Sequence, residues 1–279
     1  MENDIIMEKL NIKKPVVSIN WLNEHLCTDK LVVLDGTINK SFNTEQQQIP
    51  GARFFDIKNA FSNISGQFPN TFPSIEQFEL AARNLGINSD SAIVVYDDKG
   101  IYSSARVWWL FKAFGYNNVA VLNGGFPKWT EVNLPTENMS LYKGEQGDFT
   151  AKIQSRYMKF FNDIKLVSIN KTHIIIDARS RNRFNGRQPE PREGLRSGNI
   201  PHSVNMPFTD LLVDGKVLKP TKILKQMFST LVKQDDAIIF SCGSGITACV
   251  LALGAELVGY KNIAVYDGSW TEWGSLVKA

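Results

Sequence analysis

Six short runs of aliphatic and β-branched residues punctuate the chain. Leu31–Leu34, Ala92–Tyr96 and Val119–Leu122 lie in its first half, and His173–Ile176, Ala237–Ser241 and Ile263–Tyr266 in its second. Unbroken apolar runs of four or five residues are the pattern of strands buried on both faces, as in parallel sheets. Between the second and third run of each half lies a helix-length stretch, Ala105–Phe114 or Ile246–Val258, closing on Gly115 or Gly259. Glycine just past the last turn takes the left-handed conformation that ends a helix. The alternation predicts an α/β fold, a mainly parallel sheet flanked by helices.

The two halves also match each other. Shifted by 144 residues without a gap, Ile238–Trp273 lies on Val94–Trp129. Gly259-Tyr260-x-Asn262 falls on Gly115-Tyr116-x-Asn118, Asp267-Gly268-Ser269 on Asn123-Gly124-Gly125, and Trp273 on Trp129. Two earlier echoes keep the same order: Val32-Val33-Leu34-Asp35 with Ile174-Ile175-Ile176-Asp177, and Ile49-Pro50 with Ile200-Pro201. Ordered matches imply a duplicated domain. We read residues 1–135 as the N-terminal copy, 136–150 as the linker and 151–279 as the C-terminal copy. The stretch from Leu134 to Gly147 is polar, carries Pro135 and two glycines, and has no firm period.

Composition adds mainly exclusions. With 43% hydrophobic and 21% charged residues the chain is an ordinary globular one. A net charge of +3 with scattered basic residues does not suggest a nucleic-acid partner. Met1–Val17 carries Glu2, Asp4 and Glu8 and lacks the apolar core of a signal peptide. No run approaches the roughly 20 apolar residues of a membrane helix, so no membrane partner is expected and the cytoplasm is the expected location. Three cysteines, no CxxC and three isolated histidines (His25, His173, His202) predict neither a disulfide framework nor a metal site. No cofactor is expected.

The candidate chemistry follows the second apolar run of the C-terminal copy. Ile238-Ile239-Phe240-Ser241 passes into Cys242-Gly243-Ser244-Gly245-Ile246-Thr247-Ala248-Cys249. In open α/β sheets, ligands bind beyond the carboxyl ends of the strands. Gly243 and Gly245 let the backbone curl and aim successive N–H groups at one point, and the following helix adds the positive end of its dipole. Such a ring of donors stabilises a thiolate, and equally a persulfide, Cys–S–S⁻. The opposing reading is a buried structural cysteine. Two glycines, a serine and a threonine at a strand–helix turn are a costly way to hold a packing residue. In the N-terminal copy the matching position is Asp98. Cys249, two turns down the helix, and Cys27, after the amphipathic stretch Ser18–Leu26, read as packing residues. Trp108-Trp109 reads as a buried helix face or interdomain packing, and Trp270 and Trp273 as closing the C-terminal core. A phosphatase loop would need an arginine six residues after the cysteine, where Ala248 stands.

Five motifs resemble those of the tandem rhodanese-like sulfurtransferases, and within them the 3-mercaptopyruvate branch. They are Ile49-Pro50-Gly51-Ala52-Arg53-Phe54-Phe55-Asp56-Ile57, Ala105-Arg106-Val107-Trp108-Trp109, Pro189-Glu190-Pro191-Arg192, Cys242-Gly243-Ser244-Gly245-Ile246-Thr247 and Asp267-Gly268-Ser269-Trp270-x-Glu272-Trp273. The resemblance spans about Val17 to Trp273. It implies two rhodanese-like domains, a silent N-terminal copy, and Cys242 carrying sulfur as a persulfide. It implies 3-mercaptopyruvate as donor, a thiol such as a thioredoxin or cyanide as acceptor, and pyruvate as product. Six arginines lie between Arg179 and Arg196. The resemblance singles out Arg183 and Arg192 as the substrate-binding pair, and guanidinium forks suit a carboxylate beside a ketone. Gly243, Gly245, Ile246 and Thr247 would cradle the sulfur, with Ser244 steering a proton. Thiosulfate sulfurtransferases carry basic residues after the cysteine, where Gly243 and Ser244 stand here. Thiosulfate-to-cyanide transfer is the alternative, and a non-turnover persulfide carrier a second one. Two departures stand out. The positions that would supply a histidine and an aspartate to the loop serine fall near Asn70 and on Lys58. Gly198-Asn199-Ile200-Pro201-His202 lacks the usual histidine before Ile-Pro, and His202 reads as structural.

Overall fold

The computed structural model describes residues 10–278. The signal-peptide reading of Met1–Val17 rests largely on residues outside that range. Each half holds a five-stranded parallel sheet. The first comprises β1 (Val16–Val17), β2 (Leu31–Asp35), β3 (Arg53–Phe54), β4 (Ala92–Tyr96) and β5 (Val119–Leu122), side by side in the order β1-β5-β4-β2-β3. The second comprises β6 (Met158–Lys159), β7 (Ile174–Asp177), β8 (Val204–Asn205), β9 (Ile238–Ser241) and β10 (Ile263–Tyr266), in the order β6-β10-β9-β7-β8. The two orders are the same, so the sequence repeat is a structural one. The central strands β4 and β9 are buried at every position, which is why they read as unbroken apolar runs.

The helices of the first half are α1 (Ile19–His25), α2 (Ile75–Asn84), α3 (Ser104–Ala113) and α4 (Gly125–Glu131). Those of the second are α5 (Phe161–Asn170), α6 (Arg181–Phe184), α7 (Thr221–Ser229), α8 (Ala248–Leu257) and α9 (Ser269–Leu276). Helix α8 starts two residues later than the sequence pattern suggests, because Ile246 and Thr247 still belong to the loop that follows β9. Cys27 is a correction. It is exposed, since α1 ends at His25 and the chain leaves the packed face before reaching it. Cys249 is buried in the core as expected. Residues 137–154, which include most of the expected linker, run along the first half. Glu137–Asn138 pairs with Gln47–Gln48, and Phe149 is buried against Phe78 and Phe111.

The two repeated helices meet at the centre of the molecule. Helix α8 is buried from Ala248 to Ala255, and α3 at every position except Lys112, whose ammonium reaches Glu256 of α8 at 3.0 Å. A helix that is apolar on all sides must be covered on all sides, and here each covers the other. One hydrophobic core therefore runs through both halves. The outer faces carry separate clusters, around Trp129 in the first half and around Trp270 and Trp273 in the second. The Trp109 indole N–H donates to Met158 Sδ at 3.3 Å and the ring meets Tyr157 edge-on, so Trp108-Trp109 is interdomain packing.

A fully buried charge also crosses this apolar seam. Arg106 of α3 is fully buried. Its guanidinium donates to Asp267 Oδ1 at 2.8 Å, to the Asn70 carbonyl at 2.8 Å and to the Gly245 carbonyl at 3.4 Å. The second Asp267 oxygen accepts from the Phe72 N–H at 2.7 Å. Removing one partner of a buried pair costs about 3–5 kcal/mol, because the other charge is left uncompensated. Arg106→Met should therefore lower the melting temperature by roughly 10 °C in a thermal scan. A drop within a degree or two would mean that the bolt contributes little.

Candidate active site

β9 ends at Ser241, and the chain turns through Cys242–Thr247 into α8. Three constraints shape this turn. Its carbonyls point backwards: the Cys242 carbonyl accepts from the Trp270 N–H, and that of Gly243 from the Thr271 N–H and hydroxyl. These donors are the otherwise unpaired N–H groups of the first turn of α9. Gly245 has φ +74°, and a Cβ there would sit 2.6 Å from the Asp267 carbonyl oxygen, so only glycine closes the loop. Ser269 has φ +51°, and its hydroxyl oxygen accepts from the N–H groups of Cys242 and Gly245, each at 3.1 Å. The Ser269 hydroxyl lies 2.8 Å from the Tyr266 carbonyl and 3.9 Å from Cys242 Sγ.

With the carbonyls turned away, the N–H groups of Gly243, Ser244, Ile246 and Thr247 have no acceptor among the described residues. All four residues, with Cys242, line a cavity of about 560 Å³ between the two halves. Gly245 stands apart from the other loop residues singled out in the sequence. Its N–H goes to Ser269 and it does not line the cavity. Cys242 is 1% exposed and lies among the cavity-lining residues. Cys249 is the other buried thiol; burial pushes it up to about 12, and its Sγ lies 3.2 Å from the Gly245 carbonyl.

Arg183 and Arg192 line the same cavity. Arg183 Nη2 lies 3.1 Å, and Arg192 Nη1 4.0 Å, from where a Cβ on Gly243 would stand. A side chain at position 243 would thus crowd the Arg183 guanidinium and touch that of Arg192. Arg183 is held by Glu190, with bonds of 2.5 and 3.2 Å. Glu190 also accepts from Arg179 at 2.8 Å, and Arg179 is tied to Asp177 and stacked on Trp270. Arg179 also lines the cavity, whereas Arg181 pairs with Asp210 and Arg196 stacks on Trp270. Among the described residues the Arg192 guanidinium has no ion-pair partner.

The first half closes the cavity with Ile38, Asn39, Lys58, Asn70 and Tyr102. Asn70 Nδ2 donates to Ser244 Oγ at 3.0 Å. Burial and the nearby charge of Cys242 raise the Tyr102 phenol above its ordinary range. Sequence reasoning left Tyr102, Glu190 and Ser269 unassigned. Glu190 and Ser269 sit inside quoted motifs, so their positions carried a signal; Tyr102 is reached only through the fold. His202 is exposed at φ +63°, in a turn. Asp98, which matches Cys242, lines a separate cavity of about 360 Å³ with Thr37 and Lys40, and burial raises its carboxyl.

Comparison with known proteins agrees with this architecture. The model of the rhodanese-like domain matches twice, at residues 18–132 and 163–276. The chain is 39% identical to mouse 3-mercaptopyruvate sulfurtransferase over 82% of its length and 77% of the relative's. It is 36% identical to rat thiosulfate sulfurtransferase over 93% of its length and 92% of the relative's. The structure of SseA from Escherichia coli, a 3-mercaptopyruvate sulfotransferase, superposes with a TM-score of 0.81 at 34% identity, covering 92% of this chain and 99% of that one. The duplicated sheets, the strand–loop–helix turn at Cys242 and these matches lead to one assignment: the chain belongs to the tandem rhodanese-domain sulfurtransferase family.

Proposed function

We propose that this protein moves sulfur from 3-mercaptopyruvate, through a persulfide on Cys242, to a thiol acceptor such as a thioredoxin, releasing pyruvate. One observation carries the reading: a cysteine in a cavity with two guanidinium groups over its loop and, among the described lining residues, no carboxylate. A small 2-keto acid needs that combination, a cationic clamp beside a sulfur nucleophile. Arg183 and Arg192 hold the carboxylate and ketone, and the Cys242 thiolate attacks the substrate sulfur. The S–S bond forms as the C–S bond breaks, and the electron pair passes to the pyruvate enolate. A proton then reaches the enolate carbon. The persulfide rests against the N–H groups of Gly243, Ser244, Ile246 and Thr247, while Gly245 shapes the loop.

Relatives named for either donor have similar identity to this chain, so identity alone does not separate them. The loop favours mercaptopyruvate, because positions 243 and 244 carry no charge to match a dianion, and a side chain at 243 would meet both arginines. A reducing compartment such as the cytoplasm belongs to the same reading, since Cys242 must regain its thiol form each cycle.

Pyruvate release from 3-mercaptopyruvate with dithiothreitol, run beside thiosulfate-to-cyanide transfer, tests this directly. The wild type should prefer mercaptopyruvate, and Cys242→Ser should be inactive although Cys249 remains, because that buried thiol keeps its proton. Faster thiosulfate transfer would overturn the donor assignment; turnover of neither would favour a persulfide carrier. Arg192→Ala should raise KM for mercaptopyruvate by roughly 10-fold or more, the scale of a charge-assisted bond to a carboxylate. An unchanged KM would remove Arg192 from the clamp.

A further inference from the structure

We infer that Asn70 is a positioning residue that fixes the Ser244 hydroxyl as a one-way hydrogen-bond donor into the cavity, so that this site works with a fixed dipole and without a titrating relay. The inference rests on the mercaptopyruvate reading. The Asn70 amide nitrogen has no lone pair to accept with, so at 3.0 Å it donates to Ser244 Oγ and occupies one face of that oxygen. The hydroxyl hydrogen must then point elsewhere. Ser244 lines the cavity, and its hydroxyl has no other partner among the described residues, so the open direction is the cavity itself.

The amide is well anchored. Asn70 is 8% exposed and sits at φ +60°, a left-handed conformation that asparagine tolerates better than most residues. Its own carbonyl accepts from Arg106, so the interdomain bolt also fixes the backbone that carries the amide. The charged and titratable groups around the Asn70–Ser244 pair are Lys58 on the same segment, Tyr102, Arg179, Arg183 and Arg192 in the cavity, the Arg106–Asp267 pair behind it, and Cys242. Among the described residues lining the cavity there is no histidine, aspartate or glutamate. The lining therefore offers Ser244 no carboxylate or imidazole as a relay partner.

The hydroxyl is therefore used as a dipole. As the C–S bond breaks, negative charge develops on the ketone oxygen, and a pre-aimed O–H stabilises it where it forms. The proton that converts enolate carbon to methyl comes from the substrate's own thiol. Cys–S⁻ and HS–CH₂–CO–COO⁻ thus become Cys–S–S⁻ and CH₃–CO–COO⁻, and the step balances without a protein proton donor.

Pyruvate-release kinetics on Asn70→Gly, Ser244→Ala and the double variant test this, with glycine chosen because it accepts the left-handed backbone. Ser244→Ala should lower kcat on the order of 10²-fold, as loss of one oxyanion donor does. Asn70→Gly should lower kcat by roughly 10-fold with KM little changed, and the double variant should be no slower than Ser244→Ala, because Asn70 acts only through that hydroxyl. The isosteric Asn70→Asp adds a readout that a structural role would not move. Its carboxylate accepts the Ser244 hydrogen and turns it away from the substrate, so activity relative to wild type should climb as the pH falls through the carboxylate range. Multiplicative losses in the double variant, or an Asn70→Asp enzyme matching wild type across pH, would overturn the inference alone. A wild type that releases no pyruvate would overturn the donor reading and this inference with it.

Discussion

The guanidinium of Arg106 lies where the two halves of the molecule and the Cys242 loop come together. It is fully buried, and its bonds to Asp267, to the Gly245 carbonyl and to the Asn70 carbonyl tie together three segments far apart in sequence. A charge this deep is tolerable only with its partners in place. The relative position of the halves, the path of the loop and the placement of Asn70 are therefore a single geometric condition. Apolar packing of α3 on α8 supplies area for the interface, but apolar contact is non-directional and would permit sliding. The ion pair supplies the register.

Duplication explains both how the site arose and why it is asymmetric. Both copies place a strand–loop–helix turn at the same edge of the same sheet order. Gly125 and Ser269 occupy matching positions with nearly the same left-handed backbone, φ +52° and φ +51°. At Gly125 a Cβ would meet backbone oxygens of Asp97 and Gly100 at 2.5 Å, so that copy accepts no side chain there. In the second copy the serine hydroxyl caps two loop N–H groups and lies beside the thiol. Asp98 against Cys242 and Gly125 against Ser269 are thus linked differences between the turn that carries a thiol and the one that does not.

Much of this was legible in the sequence. Strands buried on both faces left unbroken apolar runs, and their bounds agree with the structure to within a residue. The Cys242 loop, Arg183 and Arg192 were reached from glycine placement and motif resemblance, and the fold brings all three to one cavity. The misses have physical causes. Cys27 was placed by extending an amphipathic period one step beyond the end of α1. Gly245 was grouped with the donors because a nest looks uniform in sequence, whereas its N–H is claimed by a serine 24 residues away. Tyr102 is a contact across the interface that no local pattern encodes; the resemblance had put a partner of the loop serine near Asn70, and the structure pairs Asn70 with Ser244 from 174 residues away.

The core shared through α3 and α8 bears on how this architecture divides. Cutting the chain between the repeats would bare a helix that is buried along most of its length and strip the cavity of Lys58, Asn70 and Tyr102 together. The copy without the cysteine loop supplies part of the wall. A shorter protein built from the cysteine-bearing copy alone would have to surface α8 with polar residues and recruit its missing lining from elsewhere, from its own loops or from whatever molecule it delivers sulfur to. Economy of length would then be exchanged for dependence on a companion.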